Sequence, residues 1–108
     1  MNKPIVSVII VSYNTASLTL KSVESAYTST GFKPGEIEVI VVDNGSTDET
    51  ISLLGHQLDN FRLIINDKNV GFGSANNQGA RVAKGKYLLL LNSDAFLAPA
   101  TLKSLCTD

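Results

Sequence analysis

The 108-residue sequence has one cysteine, one histidine, no surplus of charge of either sign and no apolar run of membrane-spanning length. Each shortage excludes something. Cys106 alone cannot staple the chain to itself, which removes disulfide scaffolds, fits a reducing compartment and leaves it to be read as an inert helix thiol. His56 has no carboxylate or cysteine at metal-ligand spacing and reads as a solvated surface residue, and no serine, histidine and acid set suggests hydrolysis. The formal net charge is −1 and the basic residues are scattered, so no electrostatic stripe is present to neutralise a run of phosphates. Nucleic acid is excluded as a partner on that ground. The apolar stretch from Ile5 to Val11 is too short to cross a bilayer and lacks a small-residue cleavage pattern, which leaves a cytoplasmic location as the expectation.

What is present is the composition of an ordinary soluble globular domain, with room for one core. Four short apolar runs recur: Val6 to Val11, Ile37 to Val42, Phe61 to Ile65 and Tyr87 to Leu91. They are aliphatic or β-branched without clean alternation, the pattern of strands covered by helices on both faces, and they predict a parallel sheet.

The connections read as helices. Between the first two runs, Ala16 to Ser29 sets Leu20, Val23 and Tyr27 on one helical face. Ser46 and Glu49 have capping-box spacing, so a second helix is expected from about Thr47, with Ile51, Leu54 and Leu58 as its apolar stripe. That pattern also argues against a hairpin at Asn44-Gly45. Gly73 to Lys84 places Ala75, Gly79 and Ala83 four residues apart, a small-residue stripe that lets a helix lie close to a sheet. Pro99 suits a first helical position, and Leu102 and Leu105 begin a last apolar face. Strands and helices alternate, so the expected architecture is α/β, a three-layer, doubly wound, mainly parallel sheet over residues 1–108.

In such sheets ligands sit outside the carboxyl ends of the strands. The ends read off here are Ser12-Tyr13-Asn14, Asp43-Asn44-Gly45-Ser46, Asn66-Asp67 leading to Asn69-Val70-Gly71, and Asn92-Ser93-Asp94. Parallel strands would bring these distant polar clusters to one rim. Asp43 can accept hydrogen bonds from a base or ribose there, or hold a cation, or instead close an Asx-type turn into the next helix. Asn44 and Ser46 already offer turn and cap chemistry, which favours the first role. Tyr13 can stack on a nucleobase with its hydroxyl wet, or be a partly buried loop aromatic. Gly71-Phe72-Gly73 before a helix resembles an anion-binding loop, although it lacks the third glycine of a dinucleotide fingerprint. Asp94 follows four leucines and is expected at the mouth of a strand buried in the sheet, where a hard divalent cation would take its oxygen together with those of a diphosphate. Its alternative role is as a cap for the segment near Pro99.

Three stretches, Val6 to Asn14, Val41 to Asp48, and Asn69 to Asp94, resemble family 2 of the glycosyltransferases, which have the GT-A fold. The resemblance implies that Asp43 contacts the nucleoside and that Tyr13 lies beside the base. Asn92-Ser93-Asp94 then stands at the Asp-x-Asp motif, whose last acid binds Mg2+ or Mn2+ on the diphosphate. Asn92 in place of the first acid can still bind a ribose hydroxyl but adds no charge. The implied nucleotide-sugar site comprises Ser12, Tyr13, Asn14, Asp43, Asn44, Gly71, Asn76, Asn92 and Asp94, with Asp94 as the metal ligand.

The run Asn69 to Asn77 taken with Asn92-Ser93-Asp94 is similar to the branch containing rhamnosyltransferases of bacterial surface polysaccharides. That implies a dTDP- or UDP-sugar donor, a glycan or lipid-linked acceptor, and a place at the cytoplasmic face of the membrane for the full-length protein. The chain corresponds to the nucleotide-sugar-binding half, truncated before the acceptor-binding half, so the general base is expected downstream of Asp108. An uncovered edge at the fourth strand predicts self-association. Two rival readings are a nucleotide-binding module without catalysis and a signalling receiver with Asp43 as phosphoacceptor. The receiver requires an acid pair after the first strand, where Ser12-Tyr13-Asn14 stands instead.

Overall fold

The computed structural model describes residues 4–47, 49–55 and 61–106. His56 and Leu58 lie outside the described residues. Within them the order is β1 (Val6–Ser12), α1 (Ala16–Tyr27), β2 (Ile37–Asp43), α2 (Thr50–Gly55), β3 (Arg62–Ile65), α3 (Phe72–Val82), β4 (Tyr87–Asn92) and α4 (Thr101–Cys106). The four strands form one parallel sheet in the order β3-β2-β1-β4. The expected α/β sheet between helical layers is present, and none of its described helices is long and apolar enough to cross a membrane.

The layers are unequal. On one face, Val6, Val8 and Ile10 of β1 and Val39 and Val41 of β2 pack with Val23 and Ala26 of α1, Leu54 of α2 and Leu102 of α4. On the other face α3 alone contributes, with Ala75 against Ile9, Ile40 and Val42. Burying each of the valine, isoleucine and leucine side chains among them contributes about 1.5–3 kcal/mol, so the two central strands carry most of the core. Gly79 explains the close approach of α3, since a Cβ there would stand 2.6 Å from Ile9 Cγ2. The small-residue stripe therefore acts as the sequence suggests.

Coverage on both faces does not extend to the edges. The register row Leu63, Val41, Ile10, Leu91 lies wholly in the larger core, whereas in the adjacent row Ile40 and Ile9 are buried but Arg62 and Leu90 are exposed. The physical reason is that α3 rests on β1 and β2 and leaves β4 bare on that side. Leu88 and Leu90 are 52% and 55% exposed. The four-leucine strand is thus an edge strand with one open face, not one buried in the sheet.

Three helix starts also differ from expectation. Ser46 does not cap a helix from Thr47. The helix begins at Thr50, where the Leu53 N–H donates to the Glu49 carbonyl, because the Ser46 hydroxyl is used elsewhere. α3 begins one residue before Gly73, at Phe72, and ends at Val82. Pro99 precedes α4 by two residues, and its carbonyl accepts from the N–H and hydroxyl of Thr30. On α1 the buried face holds Thr19, Ser22, Val23 and Ala26, while Tyr27 is 38% exposed. Burial pushes the Cys106 thiol pKa up, against a smaller opposite effect of Lys103.

Candidate functional site

Parallel pairing sets the carboxyl ends of the strands level. Ser12 lies beside Asp43, Asp43 beside Ile65, and Val11 beside Asn92. The strand order reverses direction between β1 and β4, the switch point at which open α/β sheets bind ligands. A cleft of about 470 Å³ opens there. Tyr13 and Thr15 from the β1 exit form one wall and Asn92, Ser93 and Asp94 from the β4 exit form another. Asn44, Asn69 and Phe72 close the side toward β2 and α3, and Val11 and Leu18 complete the lining. Its size is that of a small-ligand site, and its mixture of two aromatics, aliphatic walls and a few convergent polar groups suits a nucleotide better than an apolar ligand.

Four of the nine residues expected at the site therefore line it: Tyr13, Asn44, Asn92 and Asp94. Tyr13 is 44% exposed, and its ring is available to a flat ligand. Asp94 is exposed and has no hydrogen-bond partner among the described residues. Among those residues no group of three His, Cys, Asp or Glu could hold a metal. The donor set therefore fits a cation shared with a phosphate-bearing ligand and not one held by protein alone.

The other five stand beside or behind the lining. Asp43 is fully buried, and both its carboxylate oxygens are engaged: the Ser46 N–H donates to Oδ2 at 2.9 Å and the Ser46 hydroxyl to Oδ1 at 2.6 Å. The turn chemistry expected of Asn44 and Ser46 is thus performed by Asp43 itself. Asn14, with φ of 53°, joins the β1 exit to the β2 exit: its N–H donates to Ser46 Oγ, and its side-chain oxygen accepts from the Thr47 N–H. Ser12 Oγ is 2.8 Å from Thr19 Oγ1 in the interior. The Gly71 N–H is bound to Asn69 Oδ1, so it is not presented to an anion, and the Asn76 amide donates to the Phe72 carbonyl within α3.

Asn44 organises the wall behind Phe72. Its side-chain nitrogen donates to Asn69 Oδ1 and to the Gly71 carbonyl, and its oxygen accepts from the Val70 N–H and from Asn66. Asn66 and Gln78 complete the network by exchanging two hydrogen bonds, at 2.7 and 2.8 Å. Gly45, with φ of 81°, allows the loop to pass, since a Cβ there would stand 2.6 Å from the Lys68 carbonyl carbon. No described buried side-chain polar atom lacks a partner, so this polar layer is rigid at little energetic cost.

Sequence reasoning missed Val11, Thr15, Leu18, Asn69, Phe72 and Ser93 as lining residues. Asn69, Phe72 and Ser93 lie inside the motifs already singled out. Thr15 and Leu18 stand three apart at the start of α1, and that spacing was the available signal.

A parallel α/β sheet with a polar cleft at its switch point defines a domain of the doubly wound class. Residues 7–107 match the family described as Glycosyl transferase family 2, and the chain belongs to that family. It is 38% identical over 107 residues to a chondroitin synthase of Escherichia coli, covering 97% of this chain and 15% of that protein. It is 36% identical over 101 residues to the succinoglycan biosynthesis protein ExoO of Rhizobium meliloti, covering 93% and 28%.

Among solved structures, S. aureus TarS 1-349 superimposes with a TM-score of 0.82 at 29% identity, covering 94% of this chain and 31% of that one. TarS 1-349 is also known in complex with UDP and with UDP-GlcNAc. The mannosyltransferase PcManGT from Pyrobaculum calidifontis, in complex with GDP-Man and Mn2+, gives a TM-score of 0.79 at 28% identity, covering 97% and 31%. The fold is that of the GT-A glycosyltransferases. The chain spans less than a third of the length of each of these four proteins.

Proposed function

We propose that these residues form the donor-binding part of a glycosyltransferase that moves a sugar from a nucleoside-diphosphate sugar to an acceptor hydroxyl. The observation that carries this reading is the position of Tyr13, Asn92 and Asp94 around one cleft at the switch point of a family 2 fold. Tyr13 supplies a face for the base, and the Asn92 amide is placed for a ribose hydroxyl. Asp94 holds a divalent cation, Mg2+ or Mn2+, jointly with the diphosphate. That cation would stabilise the departing diphosphate as a Lewis acid. Asp43, with both oxygens occupied by Ser46, supports the nucleoside pocket from behind unless the ligand displaces one of those bonds.

The transfer is proposed to be inverting, with the acceptor-activating base contributed from outside residues 1–108. Similarity to ExoO and to a chondroitin synthase supports a role in bacterial polysaccharide synthesis, and we place the full-length protein at the cytoplasmic face of the membrane as part of the same proposal. For the donor, the ligands of TarS support a uridine nucleotide, and the likeness of Asn69 to Asn77 to the rhamnosyltransferase-like branch supports thymidine. The two bases share one pyrimidine edge. Titration calorimetry with UDP, dTDP and GDP, with Mn2+ and with chelator, tests the proposal. Pyrimidine diphosphates should bind more tightly with Mn2+. Equal affinity with chelator overturns the metal role, and no binding of any of the three overturns the donor reading.

A further inference from the structure

One face of α1 carries a row of hydroxyls, beginning with Thr15 just before the helix and continuing through Thr19, Ser22 and Ser25. Thr19 and Ser22 are fully buried. Burying a hydroxyl is unfavourable without a hydrogen-bond partner, so such a row implies something specific to grip. Thr19 bonds Ser12 and Thr15, and the other three grip the chain leaving β4. The Ser22 hydroxyl lies 2.9 Å from the Ser93 carbonyl oxygen and 2.6 Å from that of Ala95, the two carbonyls flanking Asp94. Thr15 Oγ1 is 3.3 Å from Ser93 Oγ, and the Leu97 N–H donates to Ser25 Oγ at 3.0 Å. Within the turn itself, the Ala95 N–H donates to the Asn92 carbonyl.

Because β4 is the edge of the described sheet, its exit has no neighbouring strand beyond it for support. Among the described residues, the side-chain hydrogen bonds to residues 93–97 come from α1 and from Thr15 just before it. The Asp94 side chain itself remains exposed and unpartnered among the described residues. A fixed backbone beneath a free carboxylate is the arrangement expected of a preorganised ligand, whose ordering has been completed before anything binds.

We infer that Ser22 is a positioning residue for Asp94: its one hydroxyl proton, shared between the Ser93 and Ala95 carbonyls, presents the carboxylate to the cleft from an ordered turn. The inference rests on the donor-binding reading for what Asp94 holds, but the ordering of the turn does not depend on it.

Three variants test it: Ser22→Ala, which removes only the hydroxyl; Ser22→Thr, which retains it; and Thr28→Ala, which alters a hydroxyl bonded only within α1 and its carboxyl end. Nitrogen-15 relaxation on the nucleotide-free, metal-free chain reads the turn directly. In Ser22→Ala the order parameter at Asp94 should fall from about 0.85 to below about 0.6, with no change in the other two variants. Calorimetry should then show that the gain in UDP affinity produced by Mn2+ falls about tenfold in Ser22→Ala, while uridine affinity is unchanged and Ser22→Thr recovers the gain.

An unaltered order parameter with an unaltered Mn2+ gain in Ser22→Ala overturns the inference. So does a loss of order throughout the chain with a parallel fall in uridine affinity, which marks general destabilisation. If the parent chain shows no Mn2+ gain, the donor-binding reading fails, and relaxation still decides whether Ser22 orders the turn. Should Ser22→Ala not fold, Ser25→Ala, which frees the Leu97 N–H, carries the same test at smaller amplitude.

Discussion

Asp43 and Asp94 end neighbouring parts of the same rim, on either side of β1, and their surroundings are opposite. Asp43 closes a strand buried on both faces, and its carboxylate is spent on the Ser46 N–H and hydroxyl. Asp94 follows an edge strand with one bare face, and its carboxylate is bound to nothing described. The difference teaches that equivalent sequence positions, an acid after an apolar strand, divide into an internally bonded and an exposed carboxylate according to what packs around the strand. A buried carboxylate must have its hydrogen bonds made internally, whereas an exposed one can wait for a ligand.

Asp43→Ala offers the largest way to break that comparison. It removes the acceptor for two donors in a buried turn, so folding stability should fall by about 2–3 kcal/mol. Urea denaturation reads it directly, and a loss under about 0.5 kcal/mol means that Asp43 is not structural. Asp94→Asn should leave stability unchanged and abolish the gain in diphosphate affinity from Mn2+, a loss of tenfold or more, about 1.4 kcal/mol. Reciprocity requires the diphosphate-dependent gain in Mn2+ affinity to vanish with it. If calorimetry finds the gain intact, the triplet Asn92-Ser93-Asp94 is a polar turn and the contrast with Asp43 collapses.

The packing beneath the two acids differs as sharply, and smaller effects test it. Gly79→Ala forces a methyl onto Ile9 under the β1–β2 half; overpacking of about 1–3 kcal/mol, partly offset by better helix propensity, should leave a net loss of about 1 kcal/mol. Gly73→Ala, in the same helix with open space around it, should instead gain about 0.5 kcal/mol, and equal melting shifts for the two would contradict close packing of α3. At the bare edge, Leu88→Thr with Leu90→Thr should change stability by no more than about 0.5 kcal/mol. The same pair should reduce any self-association, measured by sedimentation velocity over a concentration series. An unfolding penalty well above that bound would show the face to be covered.

Much of this was legible in the chain. The continuous apolar runs Val6 to Val11 and Ile37 to Val42 announced central parallel strands, because both faces of such strands must be apolar. Ala75 and Gly79 announced a helix pressed on the sheet. Tyr13, Asn92 and Asp94 were found by reading strand ends, since the parallel topology makes those ends converge. The Tyr87 to Leu91 run was misleading for a physical reason: four leucines satisfy either a buried strand or an edge awaiting a cover, and local pattern does not distinguish them. The start of α2 was misplaced because Ser46 has a competing partner in Asp43, close in sequence but presented by the strand end. The hydroxyl row of α1 is not legible in the sequence, because Thr and Ser on a helix ordinarily read as solvated positions.

By itself the sequence determined the class of fold, the order of elements and the rim where polar groups gather, since periodicity and turn chemistry act over a few residues and add along the chain. Only the tertiary structure decided which rim groups are free to meet a ligand. Asp43 has its carboxylate taken up by Ser46, whereas Asp94 meets no partner among the described residues. Whether Ser22 is surface or clamp depends on Ser93 and Ala95, some seventy residues away. Hydrogen-bond satisfaction is a property of neighbours in space, and no short window of sequence contains them.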